Sequence, residues 1–230
     1  MLRKKKLLLK NNEKSAKQIR KQMSQGKFIV VEGMEGAGKS SAISVVEKYL
    51  QQRQLNYINT REPGGTPLAE QLRDIVKSAD FDETLTQQTE LFLMYASRSQ
   101  LLANRILPAL AQGQWVIGDR HDLSSRAYQG GGRQIADETL AMIADITLQG
   151  FKPDLTLYLD ISPEIGLSRA KARGALDRIE LEQLDFFHRV RNKYCQLANA
   201  DQTIVTIDAS QTMDKVHHDI KLALADFFAG

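Results

Sequence analysis

Residues 33–40 bring three glycines, a lysine and a serine together in the order Gly-Met-Glu-Gly-Ala-Gly-Lys-Ser. The spacing fits G-x-x-x-x-G-K-[ST], in which glycines let backbone N–H groups turn inward around phosphate oxygens. Lys39 would reach the β- and γ-phosphates of a nucleotide, and the Ser40 hydroxyl would bind Mg²⁺. The alternative is a glycine turn beside a surface lysine, but this pattern arises by chance in only about one chain in 100 of this length. The stretch therefore predicts a nucleotide-binding P-loop.

Two classes of P-loop protein are disfavoured by signatures that the chain lacks. GTPases read guanine with N-K-x-D, whereas the Asn-Lys pair here, Asn192-Lys193, is followed by Tyr194 and Cys195. An ATPase of the transporter type would carry an LSGGQ-like signature, which is absent. The length of 230 residues suits one P-loop domain with an inserted lid. We therefore predict a small-molecule kinase, with a non-enzymatic, nucleotide-switched regulator as the alternative.

Arginine and aspartate side chains further along the chain suit a second phosphorylated substrate. Arg61 ends an apolar run and Arg73 follows in a helical pattern, so both could face one anion. Asp119 ends the next apolar run, where it would bind Mg²⁺ through water, and Arg120 comes directly after it. A polar cluster then follows at Ser124, Ser125, Tyr128 and Gln129.

A basic segment at 166–180 has the composition of a short lid. Gly174 gives its backbone freedom, and its positive charges would close over phosphates during transfer. Alone, such a basic cluster is more often a solvent-exposed surface of a helix. In a chain that also carries a P-loop and the arginines described above, it favours a lid over two phosphorylated substrates. The basic residues are Arg169, Lys171, Arg173 and Arg178.

The elements that must position these residues alternate along the chain. Five short apolar runs predict strands buried on both faces, with helix-length amphipathic stretches between them. That order predicts an α/β fold of the P-loop NTPase type: a five-stranded parallel sheet with helices on both faces and a short basic lid. The predicted strands are 27–32, 55–60, 114–119, 154–160 and 203–207, and the predicted helices lie near 39–53, 66–78, 86–111, 135–149, 163–173, 181–199 and 211–228.

Charge divides the chain into two parts. Residues 1–26 hold nine Lys or Arg and one Glu, a formal charge of +8, whereas the other 204 residues hold 22 basic and 27 acidic residues, a charge of −5. We expect 27–230 to be a single kinase domain that binds no nucleic acid. Residues 1–26 are expected to be a disordered extension, either added to the chain or read from a start before Met23. Alternatively, this basic segment binds nucleic acid or an anionic membrane surface.

Cysteine content and hydropathy indicate the compartment. The lone cysteine, Cys195, excludes a disulfide framework and suits a reducing cytosol. No stretch reaches the roughly 18 apolar residues of a membrane span. We therefore expect a cytoplasmic protein with no membrane partner.

Five stretches together strongly resemble the bacterial thymidylate kinase family. They are GMEGAGKS at 33–40, TREPGGT at 60–66, DRH at 119–121, AYQGGGR at 127–133 and LDR at 176–178. The resemblance runs from about Lys27 to the last helix. It implies transfer of the γ-phosphoryl group of MgATP to dTMP, giving dTDP and ADP for dTTP synthesis, and it implies a homodimer. A kinase for another nucleoside monophosphate is the nearer alternative.

The resemblance also assigns roles at the donor side. Lys39 and Asp119 would act in catalysis with the lid arginines, chiefly Arg169 and Arg173, because the P-loop itself carries no arginine. Glu35 matches a carboxylate near the sugar 3′-OH, and Mg²⁺ would be held by Ser40 and, through water, by Asp119. The ATP-binding residues would be Gly33, Met34, Glu35, Gly36, Ala37, Gly38, Lys39, Ser40 and Ser41.

The dTMP side is assigned in the same way. The positions that hold its phosphate are matched by Arg61, Arg73 and Arg120. Arg98 matches the arginine that reads thymine O4, and Ser125 and Gln129 match positions lining the base and sugar. Tyr128 matches the tyrosine that packs at the ribose 2′ side and disfavours a ribonucleotide.

One position departs from the family pattern. Many relatives carry a phenylalanine four residues before the Arg98 position, where it stacks on thymine. This chain has Met94 there. A methionine can also pack on an aromatic face through its polarizable sulfur, so Met94 is still expected to contact the base.

Overall fold

A computed structural model describes residues 26–78, 81–172, 174 and 177–229, and its centre is a five-stranded parallel sheet. The strands lie in the order β2-β3-β1-β4-β5, so the strand that leads into the P-loop is central. This architecture confirms the predicted fold class. The strand bounds are β1 Phe28–Gly33, β2 Tyr57–Arg61, β3 Trp115–Asp119, β4 Leu155–Asp160 and β5 Ile204–Asp208.

Both faces of the sheet are covered by helices, so the β1 residues that point to either side are buried. Ile29 and Val31 lie in one buried apolar cluster, whereas Phe28 and Val30 lie in another. In the described part of the chain the α-helices are α1 Lys39–Gln52, α2 Pro67–Lys77, α3 Gln87–Leu101, α4 Leu107–Ala111, α5 Asp122–Ser125, α6 Asp137–Leu148, α7 Pro163–Lys171, α8 Leu184–Ala200 and α9 Met213–Ala229.

The long helix predicted over 86–111 is interrupted. A π-helical segment, Leu102–Ile106, separates α3 from α4. Pro108 follows at the start of α4, and proline has no backbone N–H for the regular helical bond and crowds the carbonyl four residues earlier. The wider π turn accommodates that disruption.

A second helical stretch was not predicted. α5 continues into a π-helical segment, Arg126–Gly132, through three successive glycines that argue against a helix in the sequence. A Cβ at Gly131 would meet Lys193, and one at Gly132 would meet Phe186. The glycines therefore allow close packing on α8, which outweighs their poor helix propensity.

The predicted lid is partly regular structure. Its first half is the end of α7, and Arg173 lies outside the described residues together with 175–176. Arg178, grouped above with the phosphate-facing cations, instead donates to the Val76 carbonyl and to Glu90. Asp177 forms an ion pair with Lys77 at 2.6 Å. The end of this segment is thus fastened to α2 and α3.

None of the described helices is long and apolar enough to cross a membrane.

Candidate active site

The carboxyl ends of β1, β2 and β3 meet at one edge of the sheet, where α/β folds bind ligands. Arg61 of β2 pairs in register with Asp119 of β3, and Val31 of β1 pairs with Asp119 on its other side. A cavity of about 500 Å³ opens there. Its lining includes residues of β2, β3, the loop after β1 and several helices, and the predicted site residues among them are Glu35, Gly36, Gly38, Lys39, Ser40, Arg61, Arg73, Met94, Asp119, Arg120, Tyr128, Gln129 and Arg169.

The P-loop wraps the start of α1. Gly38 is the N-cap residue with φ of 89°, a left-handed conformation that glycine adopts without the cost of a Cβ. Lys39 donates from Nζ to the carbonyls of Gly33 and Met34, both at 3.1 Å. Burial, with the nearby Arg120 charge, lowers the pKa of Lys39 to about 8, against the pull of acidic neighbours. The ammonium group is therefore held against the loop carbonyls in a partly buried position.

Two glycines, Gly36 and Gly166, allow α7 to pack closely against this loop. A Cβ on Gly36 would collide with the backbone of Gly166 in α7, and a Cβ on Gly166 would lie 2.6 Å from the Glu35 carbonyl oxygen. Arg169, one turn further along α7, donates to the carbonyls of Gly36 at 3.4 Å and Ala209 at 3.3 Å. The exposed Arg169 side chain thus lies over the glycine-rich loop.

Asp119 and Ser40 offer oxygen ligands for a metal ion. The Oδ1 atom of Asp119 is buried and has no hydrogen-bond partner among the described residues, and both side chains line the cavity. No group of three or more His, Cys, Asp or Glu side chains in that part of the chain could hold a metal. Such a sparse oxygen set fits Mg²⁺, which commonly binds through one or two protein ligands plus substrate phosphates.

Two arginines from the segment after β2 face the same cavity. Arg61 binds both oxygens of Glu70, at 3.2 Å from Nε and 2.7 Å from Nη2. Arg73 donates to the Pro63 carbonyl at 2.7 Å. Glu70 also accepts from the Gly65 N–H at 2.6 Å, so it joins the loop to α2. These contacts hold two cations side by side at a concave surface.

Arg120 lies between the P-loop and the second half of the cavity. Its backbone adopts φ of 71°, an uncommon conformation for a side-chain-bearing residue that is often found at functional sites. Nη2 donates to Glu35 Oε1 at 2.7 Å, and the Tyr128 hydroxyl donates to Glu35 Oε2 at 2.6 Å. Burial would raise the pKa of Glu35, but Arg120, Lys39 and Tyr128 keep it below the usual value. Glu35 is therefore an ionised anchor for Arg120.

Arg98 is held more deeply. It is 1% exposed, pairs through Nε with Glu62 at 2.7 Å and donates from Nη2 to Ser125 Oγ at 2.9 Å. Its Nη1 atom is buried without a hydrogen-bond partner in the described part of the chain, although Asp122 Oδ1 lies 3.6 Å away. Arg98 and Ser125 do not belong to the cavity lining, whereas Met94, one turn earlier on α3, does.

Gln129 completes the wall at this end. Its Nε2 donates to Glu90 at 2.8 Å, while its Oε1 is buried and has no partner among the residues that the structure describes. Glu90 is also bound by Arg133 and Arg178.

The structure brings thirteen of the twenty predicted site residues into the cavity lining, and Arg173 lies outside the described residues. Ser41 is bound elsewhere, since its hydroxyl lies 2.7 Å from His217 Nε2 on α9. Five other predicted residues also lie outside the cavity lining: Gly33, Met34, Ala37, Arg98 and Ser125. Sequence reasoning missed the carboxylates that hold the arginines: Glu62, Glu70 and Glu90. An acid inside an apolar or arginine-containing stretch is the signal that could have found them, because a buried acid requires a partner.

Comparisons with known proteins identify relatives of this chain along most of its length. Residues 31–220 match the family model described as thymidylate kinase. The chain is 69% identical over 205 residues to a thymidylate kinase of Colwellia psychrerythraea, covering 89% of this chain and 97% of that relative. A thymidylate kinase of Pseudoalteromonas translucida is 59% identical, covering 88% of this chain and 97% of the relative. One from Alteromonas mediterranea is 56% identical, covering 88% and 91%.

Proposed function

The chain belongs to the thymidylate kinase family, and on that premise we propose how its cavity divides between the two substrates. The enzyme transfers the γ-phosphoryl group of ATP to dTMP, giving dTDP and ADP. The observation that carries the division is one cavity lined both by the P-loop and by Arg61, Arg73 and Arg120. One anion-binding end takes the donor, and the other takes the acceptor.

The donor end is proposed to be residues 33–41 with Arg169. The loop N–H groups and the N-terminus of α1 favour the phosphates of ATP. Lys39 would leave the carbonyls of Gly33 and Met34 and bind the β- and γ-phosphates of ATP. The negatively charged phosphate oxygens are stronger hydrogen-bond acceptors than the two neutral carbonyls. Mg²⁺ held by Ser40 and, through water, by Asp119 would supply further neutralisation of phosphate charge.

The acceptor end is proposed to hold the dTMP phosphate between Arg61, Arg73 and Arg120. Arg61 and Arg120 are oriented by Glu70 and Glu35. Arginine suits this role because its planar fork presents paired N–H donors to a phosphate. The Tyr128 ring, 5.0 Å from the Arg120 guanidinium carbon, would pack against the sugar at its 2′ side.

The base is proposed to enter between Met94 and Gln129, both of which are buried and line the cavity. Arg98, with its unpartnered Nη1, is the donor proposed for thymine O4, and Ser125 fixes that guanidinium by accepting from Nη2. Reaching the base from the observed position requires the wall around Arg98 to open slightly on binding.

The reaction needs no general base, because the acceptor is already a phosphate oxyanion. Catalysis then rests on alignment of the two substrates and on positive charge around the transferred group. Lys39, Arg169 and, from its position in the sequence, Arg173 are proposed to supply that charge. Closure of the lid over the site would also exclude water and limit wasteful hydrolysis of ATP.

A substrate panel tests this assignment. ADP release is measured with ATP and dTMP, dUMP, dCMP or dGMP, each across a range of concentrations. We expect the highest kcat/KM with dTMP. Faster turnover with dCMP or dGMP would contradict the placement of thymine between Met94 and Gln129. ATP consumption that no monophosphate stimulates would instead favour the nucleotide-switched regulator.

We propose that residues 27–230 suffice for activity. The family match begins at residue 31, and every proposed site residue lies beyond that point. Deleting residues 1–22 should leave kcat and KM for dTMP unchanged. A loss of more than about tenfold, roughly 1.4 kcal/mol, would assign the basic segment a role in catalysis. Binding to DNA at two salt concentrations would then test the nucleic-acid alternative.

A homodimer in the cytoplasm is proposed as the working form. α2 packs on α3 and α3 on α6, and these helices expose Phe92 by 61%, Met142 by 61% and Ile146 by 77%. Large apolar side chains exposed on neighbouring helices favour a protein interface. Sedimentation velocity should give a dimer for the wild type and more monomer for Ile146→Glu. Leu222→Glu, at an exposed position on α9, is the matched control.

A further inference from the structure

The Gln129 amide has one end inside the protein and one end at the cavity. Its side chain is fully buried and belongs to the cavity lining. Nε2 donates to Glu90 Oε1 at 2.8 Å. Oε1 has no hydrogen-bond partner within the described residues. An unsatisfied buried amide oxygen is costly unless a ligand supplies the donor.

Glu90 leaves this amide little choice of orientation. It is 1% exposed and accepts from Arg133 at 3.0 and 3.2 Å and from Arg178 at 2.6 Å. Burial alone would raise the pKa of Glu90, but the hydrogen bonds and charge of Arg133, with further bonds from Gln129 and Arg178, keep it below the usual value. An ionised carboxylate only accepts hydrogen bonds. The Gln129 nitrogen must therefore face Glu90, which leaves the oxygen for the cavity.

We propose that Glu90 is a positioning residue that sets the Gln129 amide so that the site selects a pyrimidine with a donor at N3. This rests on the proposed function, in which the base lies against Gln129. Thymine carries N3–H and can donate to Oε1, whereas N3 of cytosine is an acceptor. Cytosine would set two acceptors against each other, and a site built around a buried polar group rejects the ligand that leaves it unpaired.

Glu90→Gln tests the proposal. The new carboxamide can donate as well as accept, so the Gln129 amide can turn and present its NH₂ group to the cavity. We expect kcat/KM for dTMP to fall about tenfold while that for dCMP holds or rises, so that the dTMP-to-dCMP ratio narrows at least about tenfold. A structural defect alone would lower both values and leave the ratio unchanged, and that result would overturn the proposal.

Glu182→Gln is the matched control. Glu182 binds Arg133 on its other side and makes no hydrogen bond with Gln129. This variant removes a carboxylate from the same arginine but should keep the wild-type ratio. An equal narrowing in both variants would attribute selectivity to Arg133 and overturn the role of Glu90.

Gln129→Leu distinguishes the positioning role of Glu90 from the placement of the base against Gln129. If Gln129→Leu narrows the ratio and Glu90→Gln does not, the positioning role fails while the base placement stands. If neither changes the ratio, the base placement fails with it.

Loss of folding in Glu90→Gln would reflect the unbalanced charge of Arg178. The double variant Glu90→Gln/Arg178→Gln removes both members of that ion pair, which is less costly than removing one. The same narrowing of the ratio is expected there, and an unchanged ratio would overturn the proposal.

Discussion

Glu35 in the P-loop holds Arg120, which lies 85 positions later in the chain, through a hydrogen bond of 2.7 Å. Glu35 belongs to the loop proposed for ATP, and Arg120 belongs to the set proposed for the dTMP phosphate. The contact therefore fixes the spacing between the donor and acceptor ends. In-line transfer depends on that spacing, because a small misplacement of reacting groups costs much of the rate.

Glu35→Gln should lower kcat/KM for dTMP by about 10- to 150-fold, since a hydrogen bond to a charged group contributes about 1.5–3 kcal/mol. The neutral amide can accept from Arg120 or Tyr128 but loses the charge that orients Arg120. Steady-state kinetics with varied dTMP measure the effect. Glu164→Gln, at an exposed acid on α7, is the control and should be silent. Unchanged kinetics in Glu35→Gln would show that Arg120 is oriented without its carboxylate.

Lys39→Met should nearly abolish phosphoryl transfer while the ligand-free protein gains stability at pH 7. Burial lowers the folded-state pKa of Lys39 to about 8, below its unfolded value of about 10.4. Below pH 8 both states bind the proton, so the wild type carries the full cost of the partly buried charge.

Between pH 8 and about 10.4 the unfolded wild-type chain binds more protons than the folded one, so its free energy of unfolding rises with pH relative to the variant. Urea unfolding at pH 7 and at pH 9.5 measures this change. The gap between the two proteins should narrow at the higher pH. A gap that stays constant would mean that Lys39 is not desolvated, and near wild-type turnover would refute the P-loop assignment.

Gly166→Ala should weaken ATP binding even though alanine favours a helix by about 1 kcal/mol over glycine. The added Cβ would lie 2.6 Å from the Glu35 carbonyl oxygen, so the P-loop or α7 must move. We expect KM for ATP to rise severalfold with a smaller change in KM for dTMP. Ser168→Ala, an exposed site on the same helix, is the control. If both variants bind ATP as the wild type does, close packing of α7 on the loop is dispensable.

Arg169→Lys should lower kcat more than it raises KM for dTMP. Arg169 reaches the Gly36 carbonyl and is proposed to contact the phosphate during transfer. Lysine keeps the charge but lacks the planar fork, so the loss is expected in the chemical step. Lys215→Gln, at an exposed position on α9 away from the cavity, also removes one positive charge and should have little effect. A change confined to KM would place Arg169 in ground-state binding.

Met94→Phe should leave dTMP affinity unchanged or increase it by at most severalfold. Met94 is 7% exposed and lies one helical turn before Arg98, on the same side of α3. An aromatic pair contributes about 0.5–1.5 kcal/mol beyond area burial, and a sulfur–aromatic contact about 0.3–1.5 kcal/mol. Calorimetric titration with dTMP measures the difference. A large loss of affinity, with thermal unfolding unchanged, would mean that the pocket is shaped around methionine.

Local patterns in the sequence determined the fold class and most of the cavity lining. The glycine spacing of residues 33–40 specifies a phosphate-binding loop, because it depends on backbone conformations that few other sequences allow. Arg61 and Asp119 were predictable as neighbours, since each ends a strand of a parallel sheet and those ends share one edge. Each conclusion needs only short-range periodicity and the rules of sheet topology.

Only the tertiary structure decided how those side chains are held. Glu62 pairs with Arg98 across 36 positions, and Glu90 binds Gln129 across 39. Burial makes each charge depend on a partner, but which partner it meets is set by the packing of α3 against its neighbours. Arg178 shows the consequence. The basic composition of the segment 166–180 suggested that Arg178 faces phosphates, whereas its guanidinium donates hydrogen bonds to Glu90 and to the Val76 carbonyl. The sequence gives the sign of each charged side chain, and the folded structure determines which partner that side chain binds.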